Sequence, residues 1–260
     1  MGDKTKIDWC DSSWNPVTGC YHDCPYCYAR GMARRFGGAD ALDIKDVSEN
    51  SKGDGIWELD TPMHRENGQL APYPFGFAPT LHRYKLDVPQ KWKQPRTVFV
   101  CSMADLFGEW VPLAWIQEVF EACRKAPQHR YLFLTKAPER YISLAKLGQL
   151  PTEDNFWFGS STPTTDTPYF FGEGVNTFVS IEPLHERFRY IGAAERKELP
   201  QWMIIGAETG NRKGKIVPEK EWVDEIARYA QGNGIPVFMK ESLRTLMGED
   251  FQQEFPWEVE

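Results

Sequence analysis

Cys20, Cys24 and Cys27 fall within the stretch Gly19-Cys20-Tyr21-His22-Asp23-Cys24-Pro25-Tyr26-Cys27-Tyr28, a C-x3-C-x2-C spacing that brings three thiols to one short loop. Thiolates are the usual ligands of a [4Fe-4S] cluster. Three of them without a fourth leave one iron open to a reactant, which implies chemistry; four would imply electron transfer. A structural zinc site asks for four protein ligands, often in C-x2-C pairs. Only Cys24 and Cys27 form such a pair, so Cys10 or His22 would have to complete it. The bacterial ferredoxin run has different gaps and a fourth cysteine. Disulfides need an oxidising compartment, and nothing near the N-terminus reads as an export signal.

The elements that must carry this loop are legible from periodicity. Apolar runs at 97–101, 131–135, 156–160, 177–181, 202–206 and 236–240 alternate with helical stretches at 112–124, 138–147 and 219–231. A further helix at 28–36 ends at Gly37-Gly38, the usual punctuation of a helix C-terminus. With a first strand near Val17, about seven βα-type units result. Continuous apolar strands between helices imply a parallel sheet covered on both faces. The expected fold is α/β, a full or partial (β/α) TIM-type barrel of six to seven parallel strands forming one domain over 1–260. Residues 39–79 mix Gly, Pro, Asp and Asn with no sustained period and read as a long insertion after the first helix, either a lid or a surface loop.

Reactive residues in such barrels gather at the C-terminal strand ends. Here those ends carry Ser102 and Asp105, Thr135 and Lys136, Ser160 and Ser161, Glu182, Glu208, Lys240 and Glu241. Either they build a site or they mark where strands stop. Lys240 either binds a substrate phosphate or carboxylate or pairs with Glu208 or Glu241. Cys101, at a strand end, is a hydrogen-atom donor, a metal ligand or a small buried hydrophobe. Cys123 belongs to the core side of an amphipathic helix.

C-x3-C-x2-C with an aromatic residue, Tyr26, before the last cysteine resembles the signature of the radical S-adenosylmethionine (radical SAM) enzymes. The longer string Trp14-Asn15-Pro16-Val17-Thr18-Gly19-Cys20, followed by Cys27-Tyr28-Ala29-Arg30, resembles a phage- and prophage-associated branch of that superfamily, with a weaker similarity to the spore photoproduct lyase group. The resemblance implies a [4Fe-4S] cluster on Cys20, Cys24 and Cys27, S-adenosyl-L-methionine as the second cofactor, and a 5′-deoxyadenosyl radical that abstracts hydrogen from a substrate. It implies a reductant protein such as flavodoxin or ferredoxin as a partner. Within that frame Tyr26 either packs near adenine or anchors the loop, Ser102 and Asp105 hold the methionyl ammonium, and Ser160 and Ser161 bind ribose or the methionyl carboxylate. Glu182 suits ribose hydroxyls or substrate, and Gly206, ahead of Glu208, lets the backbone approach the adenine. The glycine-rich form of the ammonium motif is absent from 101–107. The substrate expected first is a nucleic-acid base or nucleotide, with a small molecule or peptide as the alternative. The rival class is a non-catalytic zinc or iron-sulfur module that binds a partner.

Composition bounds these readings. At 260 residues, 41% hydrophobic and 26% charged, the chain is an ordinary globular sequence able to bury a sizeable core. No apolar run is long enough to span a bilayer, and Lys6 stands where a myristoylation signal needs Ser or Thr; the expected location is cytoplasmic, with no membrane partner. The formal charge of -7 provides no long-range attraction to nucleic acid. Arg30, Arg34 and Arg35, with Lys91, Lys93 and Arg96 further on, form either a local basic patch or a solvated face.

Overall fold

The structure, a computed structural model, describes residues 5–37, 55–188 and 198–258. Its main sheet has seven strands: β1 (Ser12–Trp14), β5 (Thr97–Val100), β6 (Arg130–Thr135), β7 (Phe156–Ser161), β8 (Asn176–Ile181), β9 (Met203–Ile205) and β10 (Val237–Met239), hydrogen-bonded in that order. The fold is α/β, the open parallel sheet of a partial TIM-type barrel. The chain divides into two compact units, one of residues 1–5 and 10–131 and one of residues 6–9 and 132–260.

In the first unit β1 runs parallel to β5, with Ser12 opposite Val98 and Trp14 opposite Val100. All four residues of β5 are buried, as expected of a strand covered on both faces. Helix α1 (Tyr28–Gly37) follows the cysteine loop, and α2 (Leu113–Arg124) starts after Pro112, which occupies its N-cap. Trp115, Ile116, Val119, Phe120 and Cys123 form the buried stripe of α2, spaced three and four apart. The first barrel strand is not near Val17 but at Ser12–Trp14, too short to show a run. Val17–Thr18 is β2, which pairs antiparallel with β4 (Thr80–His82), and β4 pairs parallel with β3 (Trp57–Leu59) in a separate small sheet. Of the expected insertion and lid, residues 39–54 lie outside the described residues, and 55–79 contains β3.

In the second unit α3 (Pro138–Lys146), α4 (Lys220–Gly232) and the one-turn α5 (Arg244–Met247) accompany the strands. Alternate residues of β8, β9 and β10, namely Val179, Ile181, Met203, Ile205, Val237 and Met239, join one core with Val223, Ile226 and Ala230 of α4. The period of two on the strands meets spacings of three and four on the helix. The intervening residues Phe178 and Phe238 point to the opposite face, where they pack with Trp202. Both faces are therefore buried, and the polar ends of the strands are what remains for chemistry. Among the described residues, no helix is long and apolar enough to cross a membrane.

Candidate functional site

The cysteine loop is attached to the turn that ends β5. Gly19 N–H donates to the Met103 carbonyl at 2.9 Å, and Cys20 N–H donates to the Phe77 carbonyl at 3.1 Å. Gly19 has φ +88°, and a Cβ there would lie 2.2 Å from the Ala78 carbonyl oxygen, so only glycine lets the chain pass at this point. Asn15, just past β1, accepts from Met103 N–H at 2.9 Å and from Ser102 Oγ at 3.2 Å. Tyr28, at the start of α1, donates its hydroxyl to the Ser102 carbonyl at 2.6 Å. His22 Nε2 donates to Asp105 Oδ2 at 2.7 Å, while Asp105 Oδ1 accepts from Phe107 N–H at 3.0 Å. Gly19, His22 and Tyr28 thus tie the loop to the 101–105 turn at three points, by backbone and side chain, and Asn15 braces the same turn from the end of β1.

Cys27 lies at the start of α1, and its sulfur accepts from Arg30 N–H at 3.4 Å. Arg30 turns back toward the loop, donating to the Cys20 carbonyl at 3.4 Å and pairing with Asp23 at 3.3 Å. Cys10 is placed elsewhere. The following residue, Asp11, donates its N–H to the Thr97 carbonyl at the N-terminal end of β5, whereas Gly19 lies past the C-terminal end of the same strand. Cys10 and Cys20 therefore stand at opposite ends of β5, and Cys10 is not positioned as a fourth ligand.

Three thiols on one short loop are the donor type that an iron-sulfur cluster takes. Burial pushes the Cys20 thiol up to about 12, and the negative charges of Asp105, Cys24 and Cys27 add to it, against a backbone hydrogen bond from His22. In the metal-free chain Cys20 is therefore held as the thiol, and a positively charged group bound there would favour the thiolate. Among the described residues no three His, Cys, Asp or Glu side chains converge as ligands of a single metal ion.

The other expected residues separate into two groups. In the first unit, Asp105 is 5% exposed and both its oxygens are engaged, so it holds the loop in place. Cys101 sits at φ +61° with its thiol buried and pushed up to about 12 by that burial. Tyr26 is half-buried, and Cys123 lies in the core. In the second unit, Ser160 Oγ accepts from Phe170 N–H at 2.9 Å, Ser161 Oγ accepts from Lys136 Nζ at 2.8 Å, and Thr135 Oγ1 accepts from Ala137 N–H at 2.9 Å.

Lys240 pairs with neither Glu208 nor Glu241. Its Nζ donates to Glu182 Oε1. The strand order explains the pairing: β9 lies between β8 and β10, and Gly206 at its end has no side chain to separate the residues that follow its neighbours. A Cβ on Gly206 would lie 2.9 Å from Lys240 Cδ and 3.2 Å from Glu182 Cδ, so its close approach is to this pair. Glu208 instead accepts from Arg212 Nε and Nη2 at 2.6 and 2.7 Å, which holds its carboxyl below the usual value. Glu241 pairs with Arg244 at 2.6 Å.

Sequence reasoning missed Asn15, Tyr28, Arg212 and the His22–Asp105 pair. Only Arg212 has its partner close in sequence, four residues from Glu208. The rest depend on partners 74 to 88 residues away.

Among solved structures the chain is similar to a Cys-to-Ser mutant of spore photoproduct lyase, at 13% identity and a TM-score of 0.51, covering 92% of this chain and 81% of that one. It is similar also to a Cys-to-Ala mutant of that lyase with dinucleoside spore photoproduct, at 12% identity and a TM-score of 0.51, covering 90% and 79%. At such identity the likeness is one of fold. No curated protein matches the chain. A family model described as "Protein of unknown function (DUF5131)" matches residues 4–247, and the chain belongs to that family.

Proposed function

We propose that this protein is a radical SAM enzyme acting on a nucleic-acid base or nucleotide, with Cys20, Cys24 and Cys27 as the ligands of a [4Fe-4S] cluster. The observation that carries the reading is the C-x3-C-x2-C loop pinned past the C-terminal end of β5, with Cys10 at the strand's other end. When bound, such a cluster supplies one electron for cleavage of S-adenosylmethionine to a 5′-deoxyadenosyl radical, which abstracts hydrogen from the substrate. The chain's own residues hold and shield. Asn15, Tyr28 and the His22–Asp105 pair keep the loop on its turn. Cys101, with its thiol pushed up to about 12, keeps its S–H, the form a hydrogen-atom donor requires. In the second unit, Lys136 with Ser161 and Lys240 with Glu182 offer ammonium, hydroxyl and carboxylate groups to a polar ligand.

The nucleic-acid substrate is supported by the fold likeness to spore photoproduct lyase. The net charge of -7 favours a nucleotide or short segment over long-range capture of a duplex. Anaerobic reconstitution with iron and sulfide, then reduction by dithionite with S-adenosylmethionine, tests the reading. The expected result is 5′-deoxyadenosine release that is absent in Cys24→Ala. A protein carrying stoichiometric zinc and forming no 5′-deoxyadenosine would establish the non-catalytic module instead. For the substrate, added nucleotides or short oligonucleotides accelerate that release; no acceleration would turn the search to small molecules and peptides.

A further inference from the structure

We propose that the exposed face of α1 is the docking surface for an acidic, one-electron donor protein, an inference that rests on the radical SAM reading above. Tyr28, Met32 and Phe36 are 56%, 41% and 41% exposed. They are spaced four residues apart and so fall on one face of the helix. Large apolar side chains in a row on a helix normally face a core; here Ala29 and Ala33 are buried and the larger residues face out. Beside them Arg35 is exposed and lies over the Phe36 ring at 5.3 Å, and Arg34 is exposed on the other flank of the same helix. Helix α1 holds three arginines and no acidic residue, in a chain whose formal net charge is -7.

Three features of this patch fit an electron donor. It begins on Tyr28, the residue after Cys27, and runs about 12 Å to Phe36 at 1.5 Å per residue, so the docked protein lies beside the cluster ligands. Its sign is opposite to that of the chain as a whole, so it attracts an acidic partner. Its extent, a single helix face, matches the small interfaces of transient redox encounters. The surface is held firm: Tyr28 is tied to the Ser102 carbonyl, and Arg65 donates to the Phe36 carbonyl at 2.5 Å at the other end. In the encounter the donor's flavin or iron-sulfur centre is oxidised by one electron and the cluster is reduced by one, with no proton or bond transferred.

The test compares two reductants on the reconstituted full chain, wild type and the variant Arg34→Glu/Arg35→Glu, with Met32→Asp as a second variant. The probes are dithionite, which needs no docking surface, and a reduced acidic flavodoxin. With dithionite, wild type and variants release 5′-deoxyadenosine at equal rates, which also verifies that the variants fold and load the cluster. With flavodoxin at low salt, the expected rate in each variant is about tenfold below wild type, and added salt lowers the wild-type rate toward theirs. Equal flavodoxin-driven rates in variants and wild type overturn the inference. So does loss of oligonucleotide binding in the variants with flavodoxin-driven rates unchanged, which would make the face a nucleic-acid surface. No product from wild type with dithionite fails the underlying enzyme reading, a separate outcome.

Discussion

His22 Nε2 lies 2.7 Å from Asp105 Oδ2, joining the middle of the cysteine loop to a residue 83 positions later. The pair is packed under Trp110, whose ring is 4.9 Å from the imidazole, and it sets where the loop can stand. Asp105→Ala removes this bond and the cap on Phe107 N–H together. The expected cost is about 1–3 kcal/mol, the usual penalty for orphaning buried polar groups. Iron bound per chain after reconstitution should fall with it, whereas His22→Gln, which keeps a donor, should retain more iron than Asp105→Ala. Denaturant midpoints and iron analysis check both.

Gly19→Ala places a methyl 2.2 Å from the Ala78 carbonyl oxygen on a residue at φ +88°. Backbone strain alone costs on the order of 1–3 kcal/mol, and the clash with backbone cannot be relieved by a rotamer. The expected outcome is a folded protein of lowered denaturation midpoint with impaired cluster loading. An unchanged midpoint would show that the loop has another path.

Lys240 and Glu182 form a partly buried pair across Gly206. Lys240→Met or Glu182→Gln alone should each destabilise by about 1–3 kcal/mol, because the remaining partner loses its counterpart. The double variant should cost less than the sum, giving a coupling of about 0.5–3 kcal/mol in a double-mutant cycle. Gly206→Ala should disturb the same pair, since its Cβ would meet Lys240 Cδ at 2.9 Å.

Arg212 holds the Glu208 carboxyl below its usual value. A carboxyl depressed in the folded state contributes stability that is present above its unfolded pKa and is lost as pH falls through the folded one. The acid limb of a stability profile should therefore steepen below about pH 4.5 in the wild type. Glu208→Gln should flatten that limb while leaving its shape near neutrality unchanged, as followed by urea denaturation at a series of pH values.

Burial pushes the Cys20 and Cys101 thiols up to about 12. Only the thiolate is alkylated, so in cluster-free protein at pH 8.5 iodoacetamide should modify both far more slowly in the folded chain than in the urea-unfolded chain. Peptide mass mapping of the two residues reads this directly. Equal rates folded and unfolded would contradict the buried, charge-crowded setting described for them.

Much of this is legible in the sequence, because it depends on local pattern. The C-x3-C-x2-C spacing, the buried runs of β5 and β7 and the stripes of α2 and α4 each lie within a dozen or so residues, and periodicity alone assigns them. The parallel sheet follows from apolar strands alternating with helices. What the sequence could not settle was every relationship across distance. Ser12–Trp14 became the first barrel strand only because β5 pairs with it, while Val17–Thr18 was taken by β4, some sixty residues on. Lys240 chose Glu182 over its sequence neighbour Glu241 because the order β8-β9-β10 sets them either side of a glycine. Cys10 was removed from the cluster loop by its place at the far end of β5. Side-chain partnership is decided by which backbones lie side by side, and only the assembled tertiary structure brings those backbones together.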